Sequence, residues 1–416
     1  MNAAERSGHP RAAFAHRDFR LFMLARFLAV VGVQVQSVAV GWQVYSLTRD
    51  PLHLGWVGLA QFLPLMAFAL PSGHVADRFE RRRILMFCLS VTALAALGLA
   101  GASRATPRLW LWYALLVVIG TARAFYGPAA SALLPSLVPK SDFANAVAWS
   151  STNWQVATIC GPALGGAIYG TLGAVAAYAT TALFVFGSVA CLAALRARPL
   201  PAPAGASSLS TLLGGIRYVW REKTLLGAIT LDLFAVLLGG AVALLPALAK
   251  DVLHVGPGGL GVLRGAPAVG AALMALGLAH RPLRRRAGPV MLASVGVFGL
   301  ATVVLGLSRS FVLSLSALVV LGASDMISVF VRQNLVQLGT PDAMRGRVSA
   351  VNLVFISASN ELGEFESGVT AEYLGPVRAA LLGGVGTLVV VALWSWWFPA
   401  LRKLDRPEDV AAHETR

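Results

Sequence analysis

The sequence predicts an all-α membrane protein with twelve transmembrane helices in two pseudosymmetric six-helix bundles. The 416-residue chain is 57% hydrophobic and only 13% charged, with a mean hydropathy of +0.70, whereas soluble chains contain about 25% charged residues. Apolar runs of about 20 residues, the length that crosses the hydrocarbon core, recur along the chain. The two halves of the chain also align with each other at a shift of about 204 residues.

The apolar runs define the helices in order. We expect spans 1 to 12 at residues 19–47, 54–72, 84–103, 109–130, 146–170, 175–195, 224–249, 258–280, 288–307, 310–331, 348–374 and 376–399. The first run is too long for a signal peptide and lacks a small-residue cleavage site. We therefore expect it to be retained as span 1.

The basic residues lie in alternate loops. A formal net charge of +15 could suggest a nucleic-acid partner. However, 25 of the 34 Lys and Arg residues lie in the two tails and in the loops that follow spans 2, 4, 6, 8 and 10, which all lie on one face of the membrane. Six more lie on the opposite face: Arg49, Arg104, Arg108, Lys250, Arg309 and Arg378. The positive-inside rule places both termini in the cytoplasm of a bacterial-type inner membrane, with no nucleic-acid partner.

The longest polar interruption, 196–223, separates a first bundle at 1–195 from a second bundle with a cytoplasmic tail at 224–416. It begins RARPLPAPAGASSLS, which Pro, Ala and Ser make a poor helix and a plausible linker. Leu209 to Trp220 has the pattern of an amphipathic helix at the cytoplasmic interface. A calmodulin-like partner site is the alternative.

Between spans 2 and 3 the chain reads GHVADRFERRR from Gly73, and at Gly277 the second half reads GLAHRPLRRR. The first copy resembles the loop signature of the major facilitator superfamily. That resemblance implies close helix approach at the glycine and a charge network at a helix end that favours one access state. The gating-loop residues it identifies are Gly73, Asp77, Arg78, Arg81 and Arg82. Here Glu80 replaces the usual glycine, and Arg281 stands where the second aspartate would fall. The alternative is that the arginines only anchor topology.

A second motif lies in span 5, where Gly161, Pro162, Gly165 and Gly166 resemble the GPxxGG element of exporting branches of the superfamily. Proline removes a helix hydrogen bond and glycines permit close packing, so plain helix packing is the alternative. Span 4 carries Arg123 in a pattern that resembles an RxxxG element of the proton pathway. The stretches GWQVYSLT, MRGRVS and NELGEFESG resemble the branch of siderophore exporters, the transmembrane secretion effectors.

Charges within spans cost about 2.5–3.5 kcal/mol each, and four of them share a pattern: Arg26, Arg123, Asp232 and Asp325. Their spans, 1, 4, 7 and 10, line the central cavity in the family that the chain resembles. The repeat shift carries Arg26 to 230 and Arg123 to 327, so bases are expected opposite acids in the cytoplasmic half of the membrane. This arrangement suits a proton-coupled substrate site or an ion-pair gate. Local pairing with carbonyls or headgroups is the alternative.

Span 11 adds Glu361 and Glu364, which share a helix face. Two close carboxylates in low dielectric would suit proton uptake and release, unless the span starts late enough to leave them wet. Gln34, Gln36 and Gln43 of span 1 could contact cargo or bridge helices.

The sequence contains no phosphate-binding GxxxxGK[ST] loop, HExxH or GxSxG motif, and its three cysteines have no metal-site spacing. We therefore expect no enzyme activity, cofactor or metal, and an ion gradient as the energy source. The predicted function is a monomeric proton-antiporting exporter of a small molecule such as a siderophore or drug, working by alternating access. The alternatives are a proton-coupled uptake symporter and a non-transporting membrane sensor or assembly factor.

Overall fold

The computed structural model describes residues 12–104, 108–196, 209–281, 283 and 285–406. Over these ranges the secondary structure is helical and contains no β-strand. Nine helices in this part of the chain are long and apolar enough to cross a membrane. The number is below twelve because one helix carries spans 5 and 6, the span 2 helix is short, and span 11 carries four glutamates.

Every predicted span coincides with helical structure. In the first half the helices are Arg17–Thr48 (span 1), Leu52–Ala67 and Ala69–Arg78 (span 2), Arg81–Ala102 (span 3), Leu109–Leu133 (span 4) and Phe143–Ala193 (spans 5 and 6). In the second half they are Lys223–Leu238 (start of span 7), Pro257–His280 (span 8), Ala287–Leu307 (span 9), Phe311–Leu338 (span 10), Asp342–Leu374 (span 11) and Pro376–Trp397 (span 12). Short 3-10 turns at Ala12–Ala15, Leu134–Ser136 and Lys140–Asp142 and the helix Pro399–Lys403 complete these segments.

Two glycines make the turns between paired spans. Gly173, between spans 5 and 6, has φ 83° and ψ −179°. Gly375, between spans 11 and 12, has φ 82° and ψ 158°. Glycine is the residue that adopts this region at little cost, because it has no Cβ. The two turns are 202 residues apart, close to the repeat shift.

Span 7 is broken where span 1 is continuous. Its helix ends at Leu238 before Gly239 and Gly240. A 3-10 turn at Ala241–Leu244, one α-turn at Leu245–Ala247 and a π-turn at Leu248–Val252 follow. The break allows close packing, since a Cβ on Gly240 would lie 2.6 Å from the carbonyl oxygen of Gly363 in span 11.

The structure corrects two placements. The stretch from Gly73 to Arg78 is not a loop: it forms the helix Ala69–Arg78, set off from the rest of span 2 at Phe68, so only Phe79 and Glu80 connect it to span 3. Span 10 continues past the predicted end at 331 to Leu338. Arg332 lies one residue beyond that predicted end and is therefore inside the helix rather than in a connecting loop.

The chain divides into two compact units. Unit 1 comprises Met1–Gln43 and Ala60–Ser207, and unit 2 comprises Val44–Leu59 and Ser208–Arg416. The predicted bundles, 1–195 and 224–416, differ from the units at the segment Val44–Leu59 and at the linker, and their independence as domains stays a prediction.

Each unit has its own apolar core. In unit 1 the core includes Phe19, Phe22 and Leu85, and in unit 2 it includes Ile229, Leu231 and Met291. The predicted amphipathic helix is present at Leu209–Arg221, where Gly215 packs on the Arg347 backbone of span 11. Residues 197–208 of the linker lie outside the described residues.

Candidate functional site

Unit 2 contains a buried ion pair between spans 7 and 10. Asp232 of span 7 forms a salt bridge with Arg332 of span 10, and the two residues are 5% and 3% exposed. The Ser328 hydroxyl donates a hydrogen bond of 3.4 Å to the other Asp232 oxygen. Buried charges need partners because the low-dielectric interior does not solvate them. In this structure the counter-charge of Asp232 is therefore Arg332.

Asp325 lies beside this pair but is not part of it. A small recess, with about 10 Å³ of space for water-sized molecules, is lined by residues that include Asp232, Val236, Phe298, Ser324, Asp325 and Ser328. A cavity needs about 10–15 Å³ of such space to hold one water molecule, so the recess alone is too small for a drug-sized molecule. Its size suits a single water molecule or a proton.

The polar residues around the recess lie close to the break in span 7. Asp232 lies two turns before the helix ends at Leu238. A helix C-terminus carries carbonyl groups without intrahelical partners and a partial negative charge. Val236, in the last turn, lines the same recess. The recess therefore combines two carboxylates and two hydroxyls with the apolar residues Ala235, Val236, Val295 and Phe298, near the negative end of a helix.

The glutamates of span 11 lie in a second charged region of unit 2. Glu361 and Glu364 are both partly buried on the helix Asp342–Leu374. The Glu364 carboxylate interacts electrostatically with the guanidinium of Arg264 in span 8. It also packs on Gly58, where a Cβ would lie 2.8 Å from its Oε2. Glu364 is thus held near a cation.

The arginines of unit 1 have different surroundings. Arg26 donates a hydrogen bond of 2.5 Å from Nη1 to the Ser150 hydroxyl and lies over the Trp154 ring, 5.8 Å from its centroid. These contacts of Arg26 are therefore with a hydroxyl and an aromatic ring of span 5. The side chain of Arg123 is exposed and interacts with another group.

The span 5 motif packs against span 1. A Cβ on Gly161 would lie 2.6 Å from Cβ of Gln34, and one on Gly165 would lie 2.8 Å from Cα of Val35. Pro162 and Gly166 are buried in the same helix. Any larger residue at Gly161 or Gly165 would push the helices apart. The motif glycines therefore set the distance between spans 1 and 5.

The glutamines of span 1 are not equivalent. Gln34 is partly buried against Gly161. Gln36 is 3% exposed, and its Oε1 accepts no hydrogen bond from the described residues. The Gln43 Oε1 accepts a bond of 3.3 Å from the Ser103 hydroxyl. The Gln43 side chain therefore links span 1 to the end of span 3.

The arginines of the gating motif bind helix ends. The Arg81 guanidinium donates to the Ala132 carbonyl at the end of span 4, at 2.9 Å. Arg82 donates to the Ala193 and Leu195 carbonyls at the end of span 6, at 2.6 and 2.8 Å. Cations at helix C-termini are favourable because the last carbonyls lack intrahelical partners.

The remaining motif residues contribute less to this network. Arg83 is mostly exposed and pairs with Glu80 at 2.6 Å. Gly73, Asp77 and Arg78 lie on the helix Ala69–Arg78. The side chain of Asp77 lies outside the described part of the structure, and Arg78 is exposed. Arg81 and Arg82 are the motif residues that join helices in unit 1.

A third polar cluster of unit 2, at the end of span 7, was not predicted. Asp251, in the π-turn of span 7, accepts a hydrogen bond from the Tyr45 hydroxyl and forms an ion pair of 3.0 Å with Arg49. Lys250 donates to the Ser46 hydroxyl at 2.7 Å. These contacts tie the segment Val44–Leu59 to the end of span 7. From the sequence, Arg49 and Lys250 were expected only to lie in loops on the face opposite the termini.

Asp405, after span 12, caps span 9 outside the membrane-spanning segments. Its carboxylate accepts hydrogen bonds from the Arg286 backbone N–H at 2.9 Å and the Arg285 Nε at 3.1 Å. Its backbone carbonyl accepts from Ala287 N–H at 3.0 Å. The hydrogen bonds from Arg286 and Arg285 lower the pKa of the Asp405 carboxyl.

Ser328 and Arg332 are the functional candidates that sequence reasoning missed. Arg332 follows Asp325 by seven residues and Ser328 by four, which places the three on one side of a helix. That spacing was a usable signal once span 10 was extended past 331.

Comparisons with known proteins agree with this architecture. The sequence model of the family described as "transmembrane secretion effector" matches residues 9–414. The chain is 29% identical over 402 residues to the enterobactin exporter EntS of Citrobacter koseri, covering 95% of each chain. It is 27% identical over 407 residues to EntS of Escherichia coli O1:K1, covering 96% of each.

Solved structures show the same fold. A bacterial homologue of the human lysosomal transporter Spinster, in an inward-facing and unoccupied conformation, matches with a TM-score of 0.73 at 14% identity. The match covers 93% of this chain and 97% of that one. The D323A mutant of the nucleoside transporter NupG matches with a TM-score of 0.72 at 13% identity, over 92% of this chain and 100% of that one. At these identities the likeness concerns the fold alone.

Proposed function

The chain belongs to the transmembrane secretion effector family, and we propose that it exports a siderophore-like small molecule across a membrane in exchange for protons. The membrane setting follows from its apolar helices. Proton coupling is supported by the several carboxylates that the sequence carries inside its spans.

The observation that carries the proposal is the recess between spans 7 and 10. It is lined by two carboxylates, Asp232 and Asp325, at membrane depth beside a buried arginine. Charged side chains are expensive at this depth and are retained where ions move. A carboxylate that can change its charge there couples the protein's state to the proton concentration on one side of the membrane.

The relatives support the choice of cargo. The EntS proteins are named as enterobactin exporters, and they match over nearly their full length. Enterobactin is therefore the first cargo to test, and other siderophores and drugs follow. Support for export over uptake also comes from the description of the matching family, "transmembrane secretion effector".

In the proposed mechanism, protonation of carboxylates alternates with cargo binding in a monomer. The candidate coupling groups are Asp232, Asp325, Glu361 and Glu364. Arg81 and Arg82, bound to the ends of spans 4 and 6, help to hold one state. The proposed orientation, with both termini in the cytoplasm of the inner membrane, rests on the distribution of Lys and Arg.

Inverted membrane vesicles test the proposal directly. Respiration acidifies their interior, so a proton-antiporting exporter should accumulate enterobactin inside them, and a protonophore should abolish that accumulation. The Asn or Gln variants of the four coupling carboxylates test the roles, and Glu366→Gln is the matched control. Glu366 is also a partly buried span 11 carboxylate, but it accepts a hydrogen bond from Thr370 on its own helix, at 2.8 Å.

The outcomes separate the alternatives. Accumulation only in right-side-out vesicles would identify an uptake symporter. No movement of enterobactin, other siderophores or drugs in either orientation would favour a sensor or assembly factor. Unchanged accumulation in all four carboxylate variants would refute the assigned roles.

A further inference from the structure

We propose that Arg332 holds Asp232 permanently ionised, and that Asp325 is the carboxyl group of this site that takes up and releases the transported proton. The inference rests on the proposed function and divides roles that the sequence alone left equal. Arg332 becomes a positioning residue, Asp232 its fixed partner, and Asp325 the proton carrier.

Burial keeps both members of the pair in their charged forms. The Arg332 side chain is 3% exposed and that of Asp232 is 7% exposed, and they are in direct contact. A proton on Asp232 would leave the guanidinium as an unpaired charge in a low-dielectric interior, which is far costlier than keeping both groups ionised. Ser328 adds a hydrogen bond to the carboxylate and favours its charged form further.

Asp325 is under no such constraint. Among the described residues no side chain forms an ion pair or hydrogen bond with its carboxylate. It is partly exposed and lines the recess. It lies seven residues from Arg332 on span 10, or roughly 10 Å along the helix axis. Asp325 can therefore change its charge without leaving a buried cation unpaired.

The charged groups on the neighbouring helices are consistent with this division. Span 9 carries no charged residue between Ala287 and Leu307. On span 7, Asp232 is already paired. On span 8, Arg264 interacts with Glu364. The other ionisable residues of span 11 are Asp342, Arg345, Arg347, Glu361, Glu366, Glu372 and Tyr373.

The proton step needs no further reactant. An O–H bond forms between a proton from one aqueous side and an Asp325 carboxylate oxygen, which neutralises the side chain. The same O–H bond breaks toward the opposite side after the protein has changed state. The carboxylate is restored, and one proton has moved for each cycle.

The test uses the full chain in liposomes loaded with the pH dye pyranine. Enterobactin is the probe, and both proton movement and enterobactin counterflow are measured. Counterflow is the exchange of labelled for unlabelled cargo without a pH gradient. The variants are Asp325→Asn, Asp232→Asn, Arg332→Gln and the charge-neutral double variant Asp232→Asn with Arg332→Gln. Glu366→Gln is the matched carboxylate control.

We expect Asp325→Asn to lower proton-driven accumulation by about tenfold or more, within the usual range of coupling between two ligand sites, while counterflow continues. The two single variants of the pair should lose both activities because each leaves a charge unpaired. The double variant, which leaves none, should recover proton-coupled accumulation. Glu366→Gln should behave as the unmodified protein does.

The opposite pattern would overturn the inference. If the double variant exchanges cargo but no longer moves protons, while Asp325→Asn keeps both activities, Asp232 is the carrier. If the double variant recovers neither activity although it folds and elutes as the unmodified protein does, the pair is not a fixed structural unit. If the unmodified protein exchanges cargo without any proton movement, it is the proposed antiport that fails.

Discussion

Asp405 connects two distant parts of the chain through a few hydrogen bonds. Its carboxylate and carbonyl satisfy the N–H groups of Arg286 and Ala287 at the start of span 9. The first N–H groups of a helix have no intrahelical partner, and a negative charge there is favourable. A residue after span 12 thus serves as the cap for span 9.

The cap predicts a pH-dependent stability. The folded-state pKa of Asp405 is below its unfolded value, so its contribution is present above the unfolded pKa of about 3.9 and is lost as pH falls through the folded pKa. Asp405→Asn should therefore unfold at a lower temperature than the unmodified protein at pH 6. The difference should shrink toward zero in the most acid samples. Thermal unfolding in detergent from pH 6 to pH 2.5 measures it, and a pH-independent difference would contradict the cap.

Single residues also show how far sequence reasoning reaches. Asp232 and Asp325 could be selected because any carboxylate within a span needs a reason. Their surroundings could not, because a pairing partner depends on which residues face each other across helices. The repeat shift suggested arginines from the first half, whereas the partner of Asp232 is Arg332. Arg332 was missed because span 10 was predicted to end at residue 331, whereas the helix continues to Leu338.

At the scale of helices, the gating motif acts as a clamp within unit 1. Arg81 and Arg82 begin the span 3 helix, and their side chains reach the last carbonyls of spans 4 and 6. The motif predicted a charge network at a helix end. Its main described contacts are instead between guanidinium groups and backbone carbonyls, which no pattern of side-chain charges could reveal.

The clamp predicts unequal effects of neighbouring substitutions. Arg82→Met removes two hydrogen bonds from a charged donor and should destabilise the protein by about 1–3 kcal/mol. Arg83→Met is the matched control, since Arg83 is mostly exposed and pairs only with Glu80; it should change stability by less than about 0.5 kcal/mol. Chemical unfolding in detergent, followed by circular dichroism, measures both. Equal losses would contradict the clamp.

The helix breaks were less predictable than the helices. Hydropathy predicted twelve spans, because about 20 apolar residues are needed to cross the bilayer, and helical structure coincides with each of them. It could not show that span 7 breaks at Gly239, since glycines are common in membrane helices and most do not interrupt them. The break depends on the close approach of span 11, which is a tertiary contact.

At the scale of the whole molecule, the repeat has a structural counterpart in each half. The turns at Gly173 and Gly375 share a backbone conformation that follows from their position between paired spans. The helices Arg81–Ala102 and Ala287–Leu307 also fall nearly one repeat apart. A weak sequence match therefore marked equivalent elements. It did not mark equivalent side chains within the spans, since the acids of span 11, Arg26 and Arg123 have no counterparts of the same kind.

The proposed orientation predicts which loops face the cytoplasm. In a variant with the three native cysteines replaced by serine, Ser310→Cys should react with a membrane-impermeant maleimide in intact spheroplasts. Ser141→Cys should react only after the membrane is permeabilised. Both serines are exposed and lie in short connections, Ser310 before span 10 and Ser141 before span 5. The reverse labelling pattern would invert the topology.

The glycine turns bear on how the chain is made. Spans 5 and 6 are joined at Gly173, and spans 11 and 12 at Gly375, with no stretch of polar residues between the members of either pair. During synthesis, the first helix of each pair therefore has no polar loop that could remain in water while the second helix is being made. Each pair should enter the lipid as a single helical hairpin, after the ribosome has completed the second helix.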